Sequence, residues 1–222
     1  MMDVMTMLTG QQVADEGLTG WAYLLGRLQT RIATPDFAAG LALIAAIGAA
    51  AGPAGPHPDV DLRHTHVDVR LTSRDEYGVT ARDIELARTI TALAADAGLR
   101  PDASVVSRLE IALDTPDRTK VMAFWQAVTG LAGSDDPDWN IDLHDPADVL
   151  PALWFQQSGD EEPRQRWHHD LWVDPAEVQP RLDAAIAAGG RLVSDANAPA
   201  YWILADPEGN QICLCTWQSR DD

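Results

Sequence analysis

Histidines are the side chains of this sequence best suited to proton transfer near neutral pH. One of them, His57, lies in the Pro-His-Pro-Asp segment of residues 56–59. Another two, His64 and His66, are two residues apart, a spacing that places both imidazoles on one face of a strand and is compatible with metal binding. Because only Asp68 shares that face as a further ligand, a solvated polar face is the favoured alternative for this pair.

The two cysteines, Cys213 and Cys215, are also two residues apart on a predicted strand. A disulfide between them would have poor geometry, since both side chains point the same way from the strand. We therefore expect reduced thiols and a cytoplasmic protein. The N-terminus shows no basic segment followed by an apolar core, so no signal peptide is predicted.

The chain has 222 residues and a formal net charge of -18 at pH 7. Nucleic acids and anionic membranes are bound through basic surface, so this charge argues against both as partners. The longest mostly apolar run, near residues 38–51, is shorter than the ~20 residues that span a bilayer. Length and an apolar content of 46% predict one or two folded domains.

The first half of the chain alternates helix and strand signals. Thr34, followed by a proline, predicts the start of a helix with Thr34 as its N-cap. Residues 61–73 alternate in polarity and predict one half-buried strand. Thr80 and Asp83 form a capping-box pattern that begins a second helix. The side chains expected to face the core are Phe37, Leu41, Ile44 and Gly48 in the first helix, Val67, Val69 and Leu71 in the strand, and Ile84, Ala87, Ile90 and Ala94 in the second helix.

The second half of the chain contains the same pattern twice. A strand at 109–113 and a strand at 169–173 each precede a helix whose start is marked by proline. Strand-like stretches follow each helix, so the pattern predicts a duplicated β-α-β-β-β unit. A linker near residue 100 divides the chain into predicted domains at 1–100 and 104–222. The further strand-like stretches are 139–143 and 153–157 in the first copy and 191–194, 200–205 and 211–217 in the second.

The N-terminal motifs together carry a family resemblance. The segment 56–59, with Trp21 upstream and the segment 79–87 (VTARDIELA) downstream, resembles the pterin-4a-carbinolamine dehydratase family over roughly residues 5–97. The resemblance implies an α+β domain, with a four-stranded antiparallel sheet and helices on one face. It also implies a lyase that removes water from a 4a-hydroxytetrahydropterin and requires no cofactor.

The motif of that family is His-His-Pro, with a third histidine on a later loop. By resemblance, Pro56 replaces the first histidine, His57 is the second, and Arg74 replaces the third. This implies His57 as the acid and base and Arg74 as a ligand clamp, because arginine stays protonated. The alternative is a fold kept only for packing or assembly. The implied substrate-binding residues are Trp21, Pro58, Asp59, Thr72 and Ser73.

The duplicated unit carries a second resemblance. With the segments 166–175 (RWHHDLWVDP) and 206–214 (DPEGNQICL), it resembles glyoxalase-like members of the vicinal oxygen chelate superfamily over roughly residues 105–218. The resemblance implies paired βαβββ modules that curve round a cleft. In metal-binding members, the ion polarises oxygens of the substrate as a Lewis acid.

The same resemblance implies positions for metal ligands. They hold Glu110, His168 and Cys213, with a fourth position near Gln157, and Glu110 and His168 each stand seven residues before the start of the next helix. A divalent metal is possible there, since these side chains suit such ions. The favoured alternative is that they line a pocket without a metal.

Aromatic side chains favour a flat ligand in the second half, where seven tryptophans and tyrosines lie in addition to Trp125. We expect a small-molecule partner, either a pterin or another flat ring compound. Both resembled families self-associate, so a homo-oligomer is expected. A non-enzymatic binding or assembly module is the remaining alternative. These seven residues are Trp139, Trp154, Trp167, Trp172, Tyr201, Trp202 and Trp217.

Overall fold

A computed structural model describes residues 6–52, 57–133, 143–159, 167–205, 209 and 211–220. The chain forms two compact units. The first extends to Val106 and includes Val173–Glu177 and the segment from Trp217, and the second comprises Ser107–Trp172 and Val178–Thr216. Among the described residues, no helix is both long enough and apolar enough to cross a membrane.

The N-terminal unit is an antiparallel sheet with helices packed on it. Its elements are α1 (Gly10–Asp15), β1 (Ala22–Leu24), β2 (Arg27–Ala33), α2 (Phe37–Ala51), β3 (Asp59–Arg63), β4 (His66–Leu71), α3 (Ala81–Asp96) and β5 (Pro101–Asp102). The strands lie in the order β1-β2-β4-β3, and β5 pairs with β2. Ile47 of α2 and Ile90 of α3 share one core with Val67 and Val69 of β4. The predicted α+β architecture of this unit is confirmed.

Helix α3 begins where its capping box predicts. Asp83 accepts a hydrogen bond from the backbone N–H of Thr80 at 2.8 Å, which satisfies a donor that the first helical turn leaves unpaired. The predicted core face is confirmed as well. Its four side chains are each at most 2% exposed: Ile84, Ala87, Ile90 and Ala94.

Helix α2 differs from the prediction at its start. The N-cap is Asp36, whose carboxylate accepts from the backbone N–H of Ala39 at 2.8 Å, and not Thr34. Asp36 stands directly before the first helical residue, so its short side chain reaches the first turn, whereas Thr34 lies two residues farther away. The predicted core residues Phe37 and Leu41 are instead 50% and 55% exposed.

The buried face of α2 is centred on Gly40, Leu43 and Ile47. The helix is apolar nearly all round, so hydrophobic spacing gave no reliable direction for the core. Gly40 sets the direction, because a Cβ atom at this position would lie 2.6 Å from Cδ1 of Leu62 on β3. Glycine thus lets the helix lie close to Leu62, whose side chain would have to shift to admit a Cβ atom.

The region predicted as one strand, residues 61–73, is a hairpin. Strands β3 and β4 pair antiparallel, with His64 in the turn between them. Val67 and Val69 of β4 are fully buried, as predicted. His64 and His66 therefore do not share a strand face, and the two-residue spacing does not bring their imidazoles together as metal ligands.

The C-terminal unit repeats one order of elements. The first copy contains β6 (Arg108–Thr115), α4 (Arg118–Thr129), β7 (Ala132–Gly133), β8 (Leu143–His144) and β9 (Ala152–Gln157), and the second contains β10 (Trp167–Trp172), α5 (Pro175–Ala187), β11 (Arg191–Ser194), β12 (Tyr201–Ala205) and β13 (Gln211–Cys215). The predicted pair of βαβββ modules is confirmed. Most of the predicted strand at 139–143 lies outside the described residues.

The eight strands of this unit form one sheet in the order β11-β12-β13-β10-β6-β9-β8-β7. In each module the first strand runs parallel to the last, β6 with β9 and β10 with β13. The two first strands, β6 and β10, pair antiparallel at the centre of the sheet. Side chains on β6 and β10 therefore meet where the two modules join.

Candidate functional sites

The segment that carries His57 leads directly into strand β3. His57 is exposed, Pro58 is half-buried, and Asp59 is the first residue of the strand. Arg74 lies just after β4, and its guanidinium donates a hydrogen bond to Oδ1 of Asp59 at 2.5 Å. This ion pair joins the two segments in which sequence reasoning placed the acid/base and the ligand clamp.

The buried side chain of Ser73 anchors the loop that carries Arg74. The buried hydroxyl of Ser73 donates to Oδ2 of Asp83 at 2.7 Å and lies 2.9 Å from the Thr80 hydroxyl. Its backbone N–H donates to the carbonyl of Gly78 at 2.9 Å. Ser73 thus ties the loop to the start of α3, so its hydroxyl serves the fold. Thr72, the other residue predicted on this loop, is half-buried.

The neighbouring Asp75 has a different cationic partner. Arg82 donates to Oδ1 of Asp75 at 2.5 Å, and this hydrogen bond lowers the pKa of Asp75 from its ordinary value. Asp75 therefore stays ionised and paired with Arg82. Asp59 is the carboxylate that holds Arg74.

Trp21, the remaining residue predicted to bind substrate, lies in the hydrophobic core of the unit. Its indole N–H donates to the hydroxyl of Thr91 at 3.0 Å. The structure thus brings together the segments of His57, Pro58, Asp59 and Arg74, and it places Trp21 among the residues that support them.

The exposed group of His57 and Arg74 has a defined chemical capacity. An exposed imidazole can exchange protons with a bound molecule and with water near neutral pH. The Arg74 side chain is 71% exposed, and its ion pair with the Asp59 carboxylate restrains the position of the guanidinium group. Arginine offers fixed hydrogen-bond donors and no proton transfer. The site therefore contains one proton-transfer group and one anchor for a carbonyl or an anion.

In the C-terminal unit, strand register shows which positions of the two modules are equivalent. Glu110 of β6 lies opposite Asp170 of β10, and Ala112 lies opposite His168. Glu110 and His168 therefore occupy equivalent positions in the two first strands. This agrees with their equal spacing from the helices that follow.

The same register identifies the equivalent of Cys213 in the first module. Cys213 of β13 lies opposite Asp170, and Trp154 of β9 lies opposite Ala112. The equivalent of Cys213 is thus Trp154 and not Gln157, which donates to a backbone carbonyl at the end of β9. The four equivalent positions hold Glu110, Trp154, His168 and Cys213.

Glu110 is engaged by an indole. Its side chain is only 6% exposed, and its Oε2 accepts a hydrogen bond from Nε1 of Trp172 at 2.6 Å. Glu110 and Trp172 lie on the paired strands β6 and β10, so this bond links the first strands of the two modules. A hydrogen bond to a buried carboxylate is among the stronger interactions in proteins.

His168 lies between two carboxylates and beside an indole. Its Nδ1 is 3.4 Å from Oδ1 of Asp114, and its Nε2 is 3.8 Å from Oδ1 of Asp170. The Trp154 ring meets the imidazole edge to face, with centroids 5.7 Å apart and an interplanar angle of 86°. Asp114 and Asp170 were missed by sequence reasoning, which had named Trp154 only as one of seven aromatics favouring a flat ligand. Asp114 and Asp170 stand an even number of residues from Glu110 and His168, so strand alternation could have identified both.

These residues do not fit a divalent metal. An indole supplies no metal ligand, and Trp154 holds one of the four equivalent positions. Glu110 is already bound by Trp172. Among the described residues, no three His, Cys, Asp or Glu side chains are arranged to hold a metal ion. The donor set built on Glu110, His168 and Cys213 is therefore too small for a metal site of the usual kind.

Comparison with known families matches each unit separately. A family model described as pterin 4 alpha carbinolamine dehydratase matches residues 6–93, and one described as glyoxalase-like domain matches residues 110–215. A protein of Nocardia farcinica named "Putative pterin-4-alpha-carbinolamine dehydratase" is 34% identical over 90 residues, which are 40% of this chain and 95% of that protein. A protein of the same name from Acidobacterium capsulatum is 32% identical over 91 residues, covering 99% of its length.

Two solved structures also match. A transcriptional coactivator/pterin dehydratase from Brucella melitensis has 27% identity and a TM-score of 0.39, and covers 40% of this chain and 99% of its own. A glyoxalase/bleomycin resistance protein/dioxygenase superfamily member from Vibrio splendidus has 16% identity and a TM-score of 0.33, and covers 50% of this chain and 99% of its own. At these TM-scores the sequence matches, and not the structural ones, carry the assignment.

Nearly the whole length of both relatives is aligned with the N-terminal part of this chain, at more than 30% identity. The glyoxalase-like match begins after that part ends. The chain therefore belongs to the pterin-4a-carbinolamine dehydratase family through its N-terminal domain, to which a C-terminal glyoxalase-like domain is fused.

Proposed function

We propose that the N-terminal domain dehydrates 4a-hydroxytetrahydropterins, with His57 as the acid and base and Arg74 as the substrate anchor. One observation carries this proposal. The Arg74–Asp59 ion pair, at 2.5 Å, draws the loop after β4 to the segment of the exposed His57. A pterin held by the guanidinium would thus lie near an imidazole that can transfer protons.

The reaction breaks the bond between C4a and its hydroxyl group and forms a double bond between C4a and N5. In the proposed mechanism, protonated His57 donates its proton to the departing hydroxyl, which leaves as water. The neutral imidazole then accepts the proton released from N5, so that one residue completes both transfers. Arg74 cannot exchange protons at neutral pH, so its role is to hold an oxygen of the pterin ring.

The proposal is tested by the rate at which the full chain forms the quinonoid dihydropterin, followed by its absorbance. Replacing His57 by Ala should lower this rate ~10²–10⁴-fold, the usual contribution of a general acid/base. His64→Ala is the matched control, because His64 is also exposed and lies in the turn after β3. An unchanged rate in the His57→Ala protein would contradict the assignment.

The anchoring role of Arg74 is tested by two replacements at one position. Arg74→His supplies a second imidazole and should raise the rate if proton transfer is limiting. Arg74→Lys keeps the charge but loses the two-pronged hydrogen-bond geometry, so it should raise KM more than it changes kcat. Equal kinetics for all three proteins would remove Arg74 from the site.

Self-association is proposed alongside this activity. Phe37 and Leu41 of α2 are apolar and at least half exposed, which supports a homo-oligomer through that helix. A pterin or another flat ring compound is the proposed ligand, and a cytoplasmic location remains a prediction from the reduced cysteines.

A further inference from the structure

The paired first strands of the C-terminal domain contain two equivalent side-chain pairs. Asp114 and Trp172 each stand four residues after an equivalent position, Glu110 and His168 respectively. Across the strand pair, Trp172 meets Glu110 and Asp114 meets His168. The same place in the two modules therefore holds an indole–carboxylate pair and a carboxylate–imidazole pair.

The two side chains of one pair are hydrogen-bonded to each other, and those of the other pair are not. Trp172 donates a hydrogen bond of 2.6 Å to Glu110, which completes that pair. Asp114 Oδ1 lies 3.4 Å from Nδ1 of His168, and the two atoms do not form a hydrogen bond. Oδ1 of Asp114 is buried and accepts no hydrogen bond from any residue that the structure describes. This oxygen is therefore shielded from solvent and still requires a hydrogen-bond donor.

A buried donor in the same place also has no partner. The indole N–H of Trp154 is buried and donates no hydrogen bond within the described part of the chain. Trp154 packs against one side of the His168 ring, and Asp114 lies at its Nδ1 edge. An acceptor and a donor without a hydrogen-bond partner among the described residues therefore border the same imidazole.

These two atoms define the chemistry of a ligand. It must donate to a carboxylate and accept from an indole N–H along a single edge. A simple ammonium ion would satisfy Asp114 and leave Trp154 unpaired, and an anion would be repelled by Asp114 and Asp170. A planar ring with a 2-amino-4-oxo edge offers an amino N–H, a ring N–H and a carbonyl oxygen in sequence. The two donors match a carboxylate, and the adjacent oxygen matches the indole.

We propose that the C-terminal domain binds the 2-amino-4-oxopyrimidine edge of a planar heterocycle at Asp114 and Trp154, beside His168. Pterins and guanine share this edge. The site lies in the glyoxalase-like domain and is separate from His57 and Arg74. It therefore goes beyond the proposed dehydratase activity and does not depend on it.

The test is calorimetric titration of the full chain with pterin, lumazine and guanosine. Lumazine has the pterin rings with oxygen in place of the 2-amino group, so it keeps the ring N–H and offers Asp114 one donor instead of two. Asp114→Asn should weaken pterin binding at one site about tenfold or more, because a charge-assisted pair is lost. Trp154→Phe should weaken the same site several-fold, and Asp195→Asn, an exposed carboxylate of the same domain, should leave it unchanged.

Binding at the N-terminal domain contributes equally to all of these proteins, so only the difference from the parent chain is assigned to the Asp114 site. The expected result is that lumazine binds more weakly than pterin and loses less affinity than pterin in Asp114→Asn. If guanosine binding depends on Asp114 and pterin binding does not, the ligand that supplies this edge is a guanine and not a pterin. If neither ligand loses affinity in Asp114→Asn and in Trp154→Phe, the site is refuted.

The dehydratase proposal fails or stands on a different measurement. His57→Ala tests the reaction rate, whereas Asp114→Asn and Trp154→Phe test binding in the other domain. A chain with an active His57 and no Asp114-dependent binding would overturn only the present inference. A chain with such binding and a rate insensitive to His57 would overturn only the proposed reaction.

Discussion

The two candidate sites differ in how strongly their residues are tied to the fold. In the N-terminal domain, His57 is exposed and Arg74 has a side chain 71% open to solvent. In the C-terminal domain, Glu110 and Asp170 are buried at the centre of a sheet. Exposed residues at the ends of strands can change their chemistry at little cost to folding. Buried residues at a strand pair contribute to stability and to any binding they perform.

A third group of residues lies beneath the N-terminal site and belongs wholly to the fold. Ser73, Thr80 and Asp83 form a buried hydrogen-bonded cluster that holds the loop of Arg74 against α3. The comparison therefore predicts three classes of substitution in one chain. Those in the buried cluster should affect stability most, those at the centre of the sheet less, and those in the exposed site least.

The largest effect is expected for Asp83→Ala. The change removes a carboxylate that accepts hydrogen bonds from Ser73 and from the Thr80 backbone, and it leaves both donors buried. The free energy of unfolding of the N-terminal domain should fall by about 2–4 kcal/mol. Urea unfolding measures it, with Asp75→Ala as the control, since Asp75 is an exposed carboxylate paired with Arg82. A loss below about 1 kcal/mol would contradict the view that the buried cluster contributes more to stability than the exposed site.

An intermediate effect is expected where the two modules of the C-terminal domain meet. Trp172→Phe keeps an aromatic ring but removes the N–H that binds the buried Glu110 carboxylate. The free energy of unfolding of this domain should fall by about 2 kcal/mol. Glu110→Gln retains a neutral acceptor, so its loss should be about half as large. If Glu110→Gln were the more damaging of the two, the carboxylate would have a role beyond this hydrogen bond.

Local signals account for the parts of the N-terminal domain that sequence predicted well. The start of α3 follows from Thr80 and Asp83, three residues apart, and its core face follows from the spacing of Ile84, Ala87 and Ile90. Helix α2 shows the limit of such signals. Its apolar residues surround the helix, and the buried side is decided by the approach of Gly40 to β3, which is a tertiary contact.

The candidate sites show the same limit. His57, Arg74, Glu110 and His168 were found because each occupies a recognisable position relative to a motif or a helix start. The equivalence of Trp154 to Cys213 was not predicted, because it depends on the register of the parallel pair β6 and β9. Register between strands separated by a helix is not encoded in local spacing, so sequence reasoning placed the position near Gln157 instead.

The smallest change in stability is expected for Asp59→Asn. The Asp59 and Arg74 side chains are 33% and 71% exposed, and exposed ion pairs contribute about 0–1 kcal/mol because water and salt screen them. Asp61→Asn on the same strand, which removes the partner of Arg63, is a matched control for loss of a surface pair. Both proteins should unfold at nearly the urea concentration of the parent chain.

Asp59→Asn should nevertheless lower the dehydration rate several-fold, whereas Asp61→Asn should not, because only Asp59 restrains the guanidinium proposed to hold the pterin. A parallel loss of stability and rate in Asp59→Asn would mean that this ion pair belongs to the fold, like the cluster around Asp83. Unchanged rate and stability would mean that Arg74 needs no anchor. A change in rate alone would show that the exposed site of the N-terminal domain can be altered without cost to folding, unlike the buried Glu110–Trp172 pair of the second domain.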